Sequence, residues 1–225
     1  MPLTIAIDGP VGAGKSTISD EVARRLGILH LDTGAMYRAV GLAALHAGID
    51  PRDEEAVCRL CAGDGARVDV RYENGVQKTL LNGMDVTASI RTQEAGAAAS
   101  AVSRYLPVRR MLVRRQQEMA RERPMLLDGR DIGTVVLPDA AVKIFLTASP
   151  EARARRRMAQ LHEKGDAVPF EQVLSEVNAR DLQDTTRALD PLRQAEDALL
   201  VDSSYLNFEE TVAAILSLVE ARHGR

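Results

Sequence analysis

At 225 residues, with 45% hydrophobic and 27% charged side chains, the chain is long enough to bury a sizeable core, as one domain or one domain with an insertion. A net charge of −3 argues against broad binding of nucleic acid or of a membrane surface. No apolar run reaches membrane-spanning length and no charged-then-apolar leader opens the chain, so the cytoplasm is the expected address.

Thr4–Asp8 is an apolar run that reads as a short buried strand. Gly9-Pro10-Val11-Gly12-Ala13-Gly14-Lys15-Ser16-Thr17 follows and fits the phosphate-binding pattern G-x-x-x-x-G-K-[ST]. Glycines let successive N–H groups turn inward around a phosphate, where a Cβ would crowd the loop. Behind it Ile18, Val22 and Leu26 share one face of a helix whose N-terminus favours an anion. Lys15 can reach the outer phosphates of a nucleotide, and the Ser16 hydroxyl can ligate Mg²⁺.

Ile28–Asp32 predicts a second strand ending in Thr33-Gly34, then a helix over 35–46 closed by Gly48, Asp50 and Pro51. A further helix over 54–62 carries Cys58 and Cys61. No second cysteine pair exists to complete a zinc site, so these two are expected to be structural or neutral. The texture then changes. Val68–Tyr72 and Gln77–Leu81 alternate around Asn74-Gly75, and a second Asn-Gly stands at Asn82-Gly83. This is a small antiparallel sheet, read as an insertion over about 63–105 with its core at 63–90. Helices are predicted over 92–103 and 107–121, Pro107 lying in the first turn of the second.

The α/β rhythm resumes with a strand at Met125–Asp128 that ends in Gly129-Arg130-Asp131, and another at Val142–Leu146. A helix after Ser149-Pro150 bears Arg153, Arg155, Arg156 and Arg157 and is broken at Lys164-Gly165-Asp166. A helix over 170–187, a strand at Leu199–Asp202 and a helix over 208–221 complete the chain. Five short apolar strands alternating with helices predict an α/β fold: a five-stranded parallel sheet flanked by helices, plus the antiparallel insertion. Ligands of such sheets sit beyond the carboxyl ends of the strands.

A phosphate loop alone does not separate a kinase from a nucleotide switch. None of the four asparagines (74, 82, 178 and 207) precedes a lysine, so the guanine-reading N-K-x-D run is absent. In Asp32-Thr33-Gly34-Ala35-Met36-Tyr37-Arg38, Arg38 can hold a phosphate with its planar fork. Asp128-Gly129-Arg130-Asp131 lies at a strand end on the ligand side. There Asp128 can support the Mg²⁺ shell, Arg130 can hold a phosphate and Asp131 can accept hydrogen bonds. Arg180, Asp184 and Arg187 are spaced four and three apart, on one helix face, which by itself reads as an exposed ion-pair ladder. The four arginines from 153 to 157 suggest a mobile cationic lid over about 153–170, since phosphoryl transfer needs charge stabilisation and exclusion of water.

Taken together these residues resemble the bacterial cytidylate kinases of the nucleoside monophosphate kinase family. The likeness runs over nearly the whole chain, on the phosphate loop, Asp32–Arg38, Ile90-Arg91-Thr92-Gln93-Glu94, Asp128–Val136, and Arg180-Asp181 with Asp184 and Arg187. It implies a single P-loop kinase domain (core about 1–62 and 124–225) with a monophosphate-binding insertion and a helical lid. It also implies ATP and Mg²⁺ at Gly9–Thr17, and CMP or dCMP between the insertion and the D-G-R-D turn. The acceptor site it implies is Thr33, Tyr37, Arg38, Ser100, Arg109, Arg130, Asp131, Arg180, Asp184 and Arg187. Arg38, Arg130 and Arg187 would hold the phosphate; Ser100, Arg109 and Asp131 would read the base; Arg180 and Asp184 would lie at the sugar. Thr33 stands where many relatives have serine and keeps the hydroxyl. Lys15, Arg130, Arg187, Arg156 and Arg157 are the expected catalytic cations, Ser16 and Asp128 the metal ligands. Nucleotides are the expected partners, without nucleic acid or membrane, and the expected state is a monomer. Base chemistry agrees: cytosine offers an N4 amino donor to a carboxylate, whereas uracil would set two acceptors face to face.

Overall fold

The computed structural model describes residues 2–163 and 165–223. Its elements run β1 (Thr4–Asp8), α1 (Lys15–Leu26), β2 (Leu29–Asp32), α2 (Thr33–His46), α3 (Glu54–Ala62), β3 (Val68–Glu73), β4 (Val76–Leu81) and β5 (Met84–Asp85). They continue α4 (Gln93–Val102), α5 (Leu106–Glu122), β6 (Met125–Gly129), β7 (Val142–Thr147), α6 (Pro150–Glu163), α7 (Phe170–Thr186), β8 (Leu199–Asp202) and α8 (Phe208–His223). The main sheet has five strands in the order β2-β6-β1-β7-β8. The chain forms two compact units, one on Leu29–Pro124 and one on Leu3–Ile28 with Met125–Arg225.

In the second unit, β1 pairs in parallel with β6 and with β7, and β7 with β8, so that Asp8 stands beside Gly129 on one side and Phe145 on the other. Parallel strands covered on both faces must be apolar throughout, and Ile5, Ile7, Leu126, Ile144 and Leu146 are all within 1% of full burial. Ile18 and Val22 of α1 and Val212, Ile215 and Val219 of α8 join that core. α6 and α7 share a smaller cluster of Ala154, Val173 and Val177.

In the first unit, β3, β4 and β5 make the foreseen antiparallel sheet. Asn74 and Gly75 take positive φ (53° and 80°), as do Asn82 and Gly83 (52° and 84°), the geometry that joins right-twisted strands in a two-residue turn. The sheet is tied to β2 through Gln77, whose Oε1 accepts from the Asp32 amide at 2.7 Å, and through Tyr72, whose hydroxyl donates to the His30 carbonyl at 2.9 Å. α2 begins at Thr33, two residues earlier than expected, because the Asp32 carboxylate caps it by accepting from the Ala35 amide at 3.0 Å.

Two further differences have local causes. α7 stops at Thr186, and Arg187 leaves the helix at ψ 141°, so it does not share a helical face with Arg180 and Asp184. Its guanidinium donates to the Asp190 carbonyl, closing the chain ahead of Pro191. Ile132–Val136, after the D-G-R-D turn, is a π-helical turn that no local signal announced. Among the described residues no helix is long and apolar enough to cross a membrane.

Cys58 and Cys61 lie three apart on α3, both half-buried and reduced. Burial pushes the Cys61 thiol up to about 11 and raises Cys58 as well. Only the thiolate attacks, so Cys61 is expected to react with a disulfide reagent at pH 8 on the order of a hundredfold more slowly than free cysteine, the rate rising toward pH 11. Labelling at the free-cysteine rate would contradict an inert thiol.

Candidate functional site

The phosphate loop spans the end of β1 and the start of α1. Lys15 is 6% exposed and its Nζ donates to the Pro10 carbonyl at 2.8 Å, across the loop. Burial, reinforced by the nearby Arg130 cation, pulls its pKa down to about 7, against the opposing pull of Asp128, Asp184 and Asp8. A buried, under-neutralised cation at a helix N-terminus is a receptor for an anion. Ser16 Oγ donates to Asp128 Oδ2 at 3.0 Å. These are two hard oxygens side by side, the donor type Mg²⁺ takes when water and phosphate supply its other ligands. Among the described residues there is no group of three or more acidic, histidine or cysteine side chains that could hold a metal ion.

The D-G-R-D turn and α7 meet in the same unit. Arg130 Nε donates to Asp184 Oδ2 at 2.8 Å, and Arg187 Nη2 lies 3.4 Å from Asp131 Oδ1. All four side chains are at most 21% exposed, so this is a desolvated network and not the exposed ladder that spacing alone suggests. Burial raises the Asp184 carboxyl, but the Arg130 guanidinium, aided by Arg180 and Arg187, outweighs it and holds the group below the usual range. The arrangement gathers Arg130, Arg187 and Lys15 with their counter-charges, a set that can exchange internal carboxylate partners for phosphoryl oxygens.

In the first unit, Thr33 is buried in the opening turn of α2, and Arg38 Nη1 donates to the Ile90 carbonyl at 3.4 Å. Arg109 on α5 is 2% exposed, donates to the Ser103 carbonyl at 3.3 Å, and sets its guanidinium 5.9 Å from the Tyr37 ring centre. Ser100 lies half-buried on α4, and its carbonyl accepts from the Ser103 hydroxyl at 3.1 Å.

The four arginines of α6 separate. Arg153 is 3% exposed: it donates to the Val11 carbonyl at 3.0 Å and the Ala148 carbonyl at 2.8 Å, and grips both oxygens of Asp181 at 2.9 and 2.5 Å. Arg156 donates to the Ala13 carbonyl at 3.4 Å and to Ser203 Oγ at 3.1 Å. Arg155 stacks 5.8 Å from the Phe170 ring centre. Sequence reasoning gave no role to Asp8, Gln77 or Ser203, and quoted Asp181 only within a motif. Asp8, at 4% exposure, accepts from the Ile132 and Gly133 amides at 2.7 Å each, and burial lifts its pKa to about 6. Its one advance signal was an acidic residue closing an apolar strand.

The family model described as "Cytidylate kinase" matches residues 5–221. A cytidylate kinase of Caldicellulosiruptor saccharolyticus is 49% identical over 96% of this chain and 95% of its own length. One of Mycobacterium leprae is also 49% identical, over 99% and 97%. Among solved structures, an uncharacterized protein of Eubacterium ventriosum shares the fold at a TM-score of 0.53 and 10% identity, covering 98% of this chain and 99% of that one.

Proposed function

This chain belongs to the cytidylate kinase family, and from that premise we propose that it transfers the γ-phosphoryl group of ATP to CMP or dCMP, releasing ADP and CDP or dCDP. The observation that carries the reading is the crossed network Arg130–Asp184 and Asp131–Arg187, in one unit with the buried Lys15. A nucleotide switch needs the loop alone. A second set of buried arginines, paired with two aspartates beside the loop, suits a second anionic substrate.

Transfer is direct and in line, with no phosphoenzyme. The acceptor phosphate is already anionic near neutral pH, so no strong general base is needed and catalysis comes from alignment and cationic stabilisation. Lys15, Arg130 and Arg187 supply the charge at the loop and the acceptor, Arg156 and Arg157 from α6. The backbone N–H groups of the Gly9–Thr17 loop, Pro10 excepted, cradle the ATP phosphates. Ser16 and Asp128 are the residues that would hold Mg²⁺, which when bound offsets charge on the triphosphate. Thr33, Tyr37, Arg38, Ser100, Arg109, Arg180 and Asp184 complete the acceptor's contacts. Asp131 accepts from the cytosine N4 amino group, and it sets the preference over UMP because an unpaired buried acceptor costs ~1–3 kcal/mol, more when charged.

An ADP-release assay across CMP, dCMP, UMP, AMP and shikimate tests the reading; saturable turnover with the two cytosine monophosphates, well above the others, is expected. Slow ATP hydrolysis that CMP does not stimulate would reject it. In the same assay Asp131→Asn should cut the CMP-to-UMP ratio of kcat/KM by about 5- to 150-fold, the equivalent of that energy. An unaltered ratio removes Asp131 from base reading while leaving the kinase assignment intact.

A further inference from the structure

The D-G-R-D turn ends in an unusual division of labour. Asp131 is the residue that precedes the π-helical turn Ile132–Val136, the N-cap position, yet its side chain makes no capping hydrogen bond there. An aspartate in that position ordinarily spends its carboxylate on the first unpaired amides of the helix. Those amides are instead taken by Asp8, from the end of β1. Its Oδ1 accepts from Ile132 and its Oδ2 from Gly133, both at 2.7 Å, across 124 and 125 residues of sequence. Asp131, its usual duty taken over, sets Oδ1 3.4 Å from the Arg187 guanidinium.

Two features show that the turn is built around this contact. A Cβ on Gly133 would stand 3.4 Å from Asp8 Oδ2 and 3.2 Å from the Lys143 side chain, so glycine leaves room for both beside the turn. In the parallel register Asp8 stands opposite Gly129, the second residue of D-G-R-D, so β1 and β6 present the carboxylate and the turn at one level. With both oxygens engaged by backbone amides at 4% exposure, Asp8 is not placed to abstract a proton from a substrate.

We propose that Asp8 is a positioning residue for acceptor selectivity: it caps the 132–136 turn from another strand so that the Asp131 carboxylate stays beside Arg187, off the turn's amides, where it reads the base. The idea rests on Asp131 reading cytosine, as set out under Proposed function. Asp8→Asn is nearly isosteric but turns an amino group toward one of the two amides, leaving that N–H to compete for Asp131.

The test compares Asp8→Asn, Asp131→Asn and the double variant by kcat/KM for CMP and UMP and by KM for ATP. The expected result is a fall of at least about fivefold in the CMP-to-UMP ratio for Asp8→Asn, carried mainly by KM for CMP. KM for ATP should stay within about twofold, and the double variant should lose little beyond Asp131→Asn alone, the sign of residues acting as one unit. Asp8→Ser, which keeps an acceptor for only one of the two amides, should move the ratio the same way by a smaller factor, and it decides the matter if Asp8→Asn does not fold. If Asp131→Asn shifts the ratio while Asp8→Asn and Asp8→Ser only lower Tm, Asp8 is structural and the proposal is overturned. If Asp131→Asn itself leaves the ratio unmoved, base reading by Asp131 falls and the proposal falls with it.

Discussion

Lys15→Ala is expected to lower kcat by about 10²–10³-fold with CMP as acceptor, the cost of removing one preorganised charge contact to a transition state. Lys15 Nζ is buried at the phosphate loop, where it donates to the Pro10 carbonyl at 2.8 Å. Burial and Arg130 hold its pKa near 7, so charge there is costly until an anion arrives. The phosphoryl oxygens supply that anion, and their charge grows where the cation is aimed. Removal should therefore spare the fold. A buried cation whose pKa is depressed lowers native stability while it is charged, so the variant without nucleotide should melt at or above the parent's temperature near neutral pH. Steady-state kinetics with a melting curve reads both; near-parental kcat would remove Lys15 from the chemistry.

Gly9→Ala should be the most disruptive single methyl in the phosphate loop. Gly9 adopts φ 155°, and a Cβ there would stand 1.9 Å from the Leu146 carbonyl oxygen and 3.0 Å from its carbon. Both atoms are backbone of β7, paired residue by residue to β1, so no side chain can move aside. Overpacking and backbone strain each cost ~1–3 kcal/mol. The sum predicts a fall in Tm of roughly 10 °C for a chain of this size and a parallel loss of ATP affinity. Gly27→Ala is the control. Gly27 also has positive φ (66°) but meets nothing within 4 Å, so only the conformational cost of about 1 kcal/mol applies. Equal melting of the two variants would show that the close approach to β7 is unimportant.

The strands and most helices were legible because short apolar runs are bounded by glycine, aspartate and proline, and a doubly covered sheet admits only such runs. The Asn-Gly turns and the phosphate loop were legible for a similar reason: positive φ and close backbone approach restrict the residue type locally. What could not be read was pairing over long separations. Nothing near Asp8 announces amides more than a hundred residues away. Arg153 sits in a run of basic residues that looks solvated, and its distant partners, the Val11 carbonyl and Asp181, explain its burial. The 180–187 spacing pointed to one helical face, but the contact of Arg187 with Asp190 ends the helix first. Its place in a motif was legible; its geometry was not.

The fastening of α6 has a mechanical consequence. Arg153 clamps the helix to the Val11 carbonyl and to Asp181, and Arg156 clamps it to the Ala13 carbonyl and Ser203. These contacts tie the opening turns of α6 to the phosphate loop at two carbonyls. The proposed lid motion over 153–170 must therefore either break these clamps or leave the opening turns of α6 in place, and hydrogen exchange along α6 with and without ATP tells the two apart.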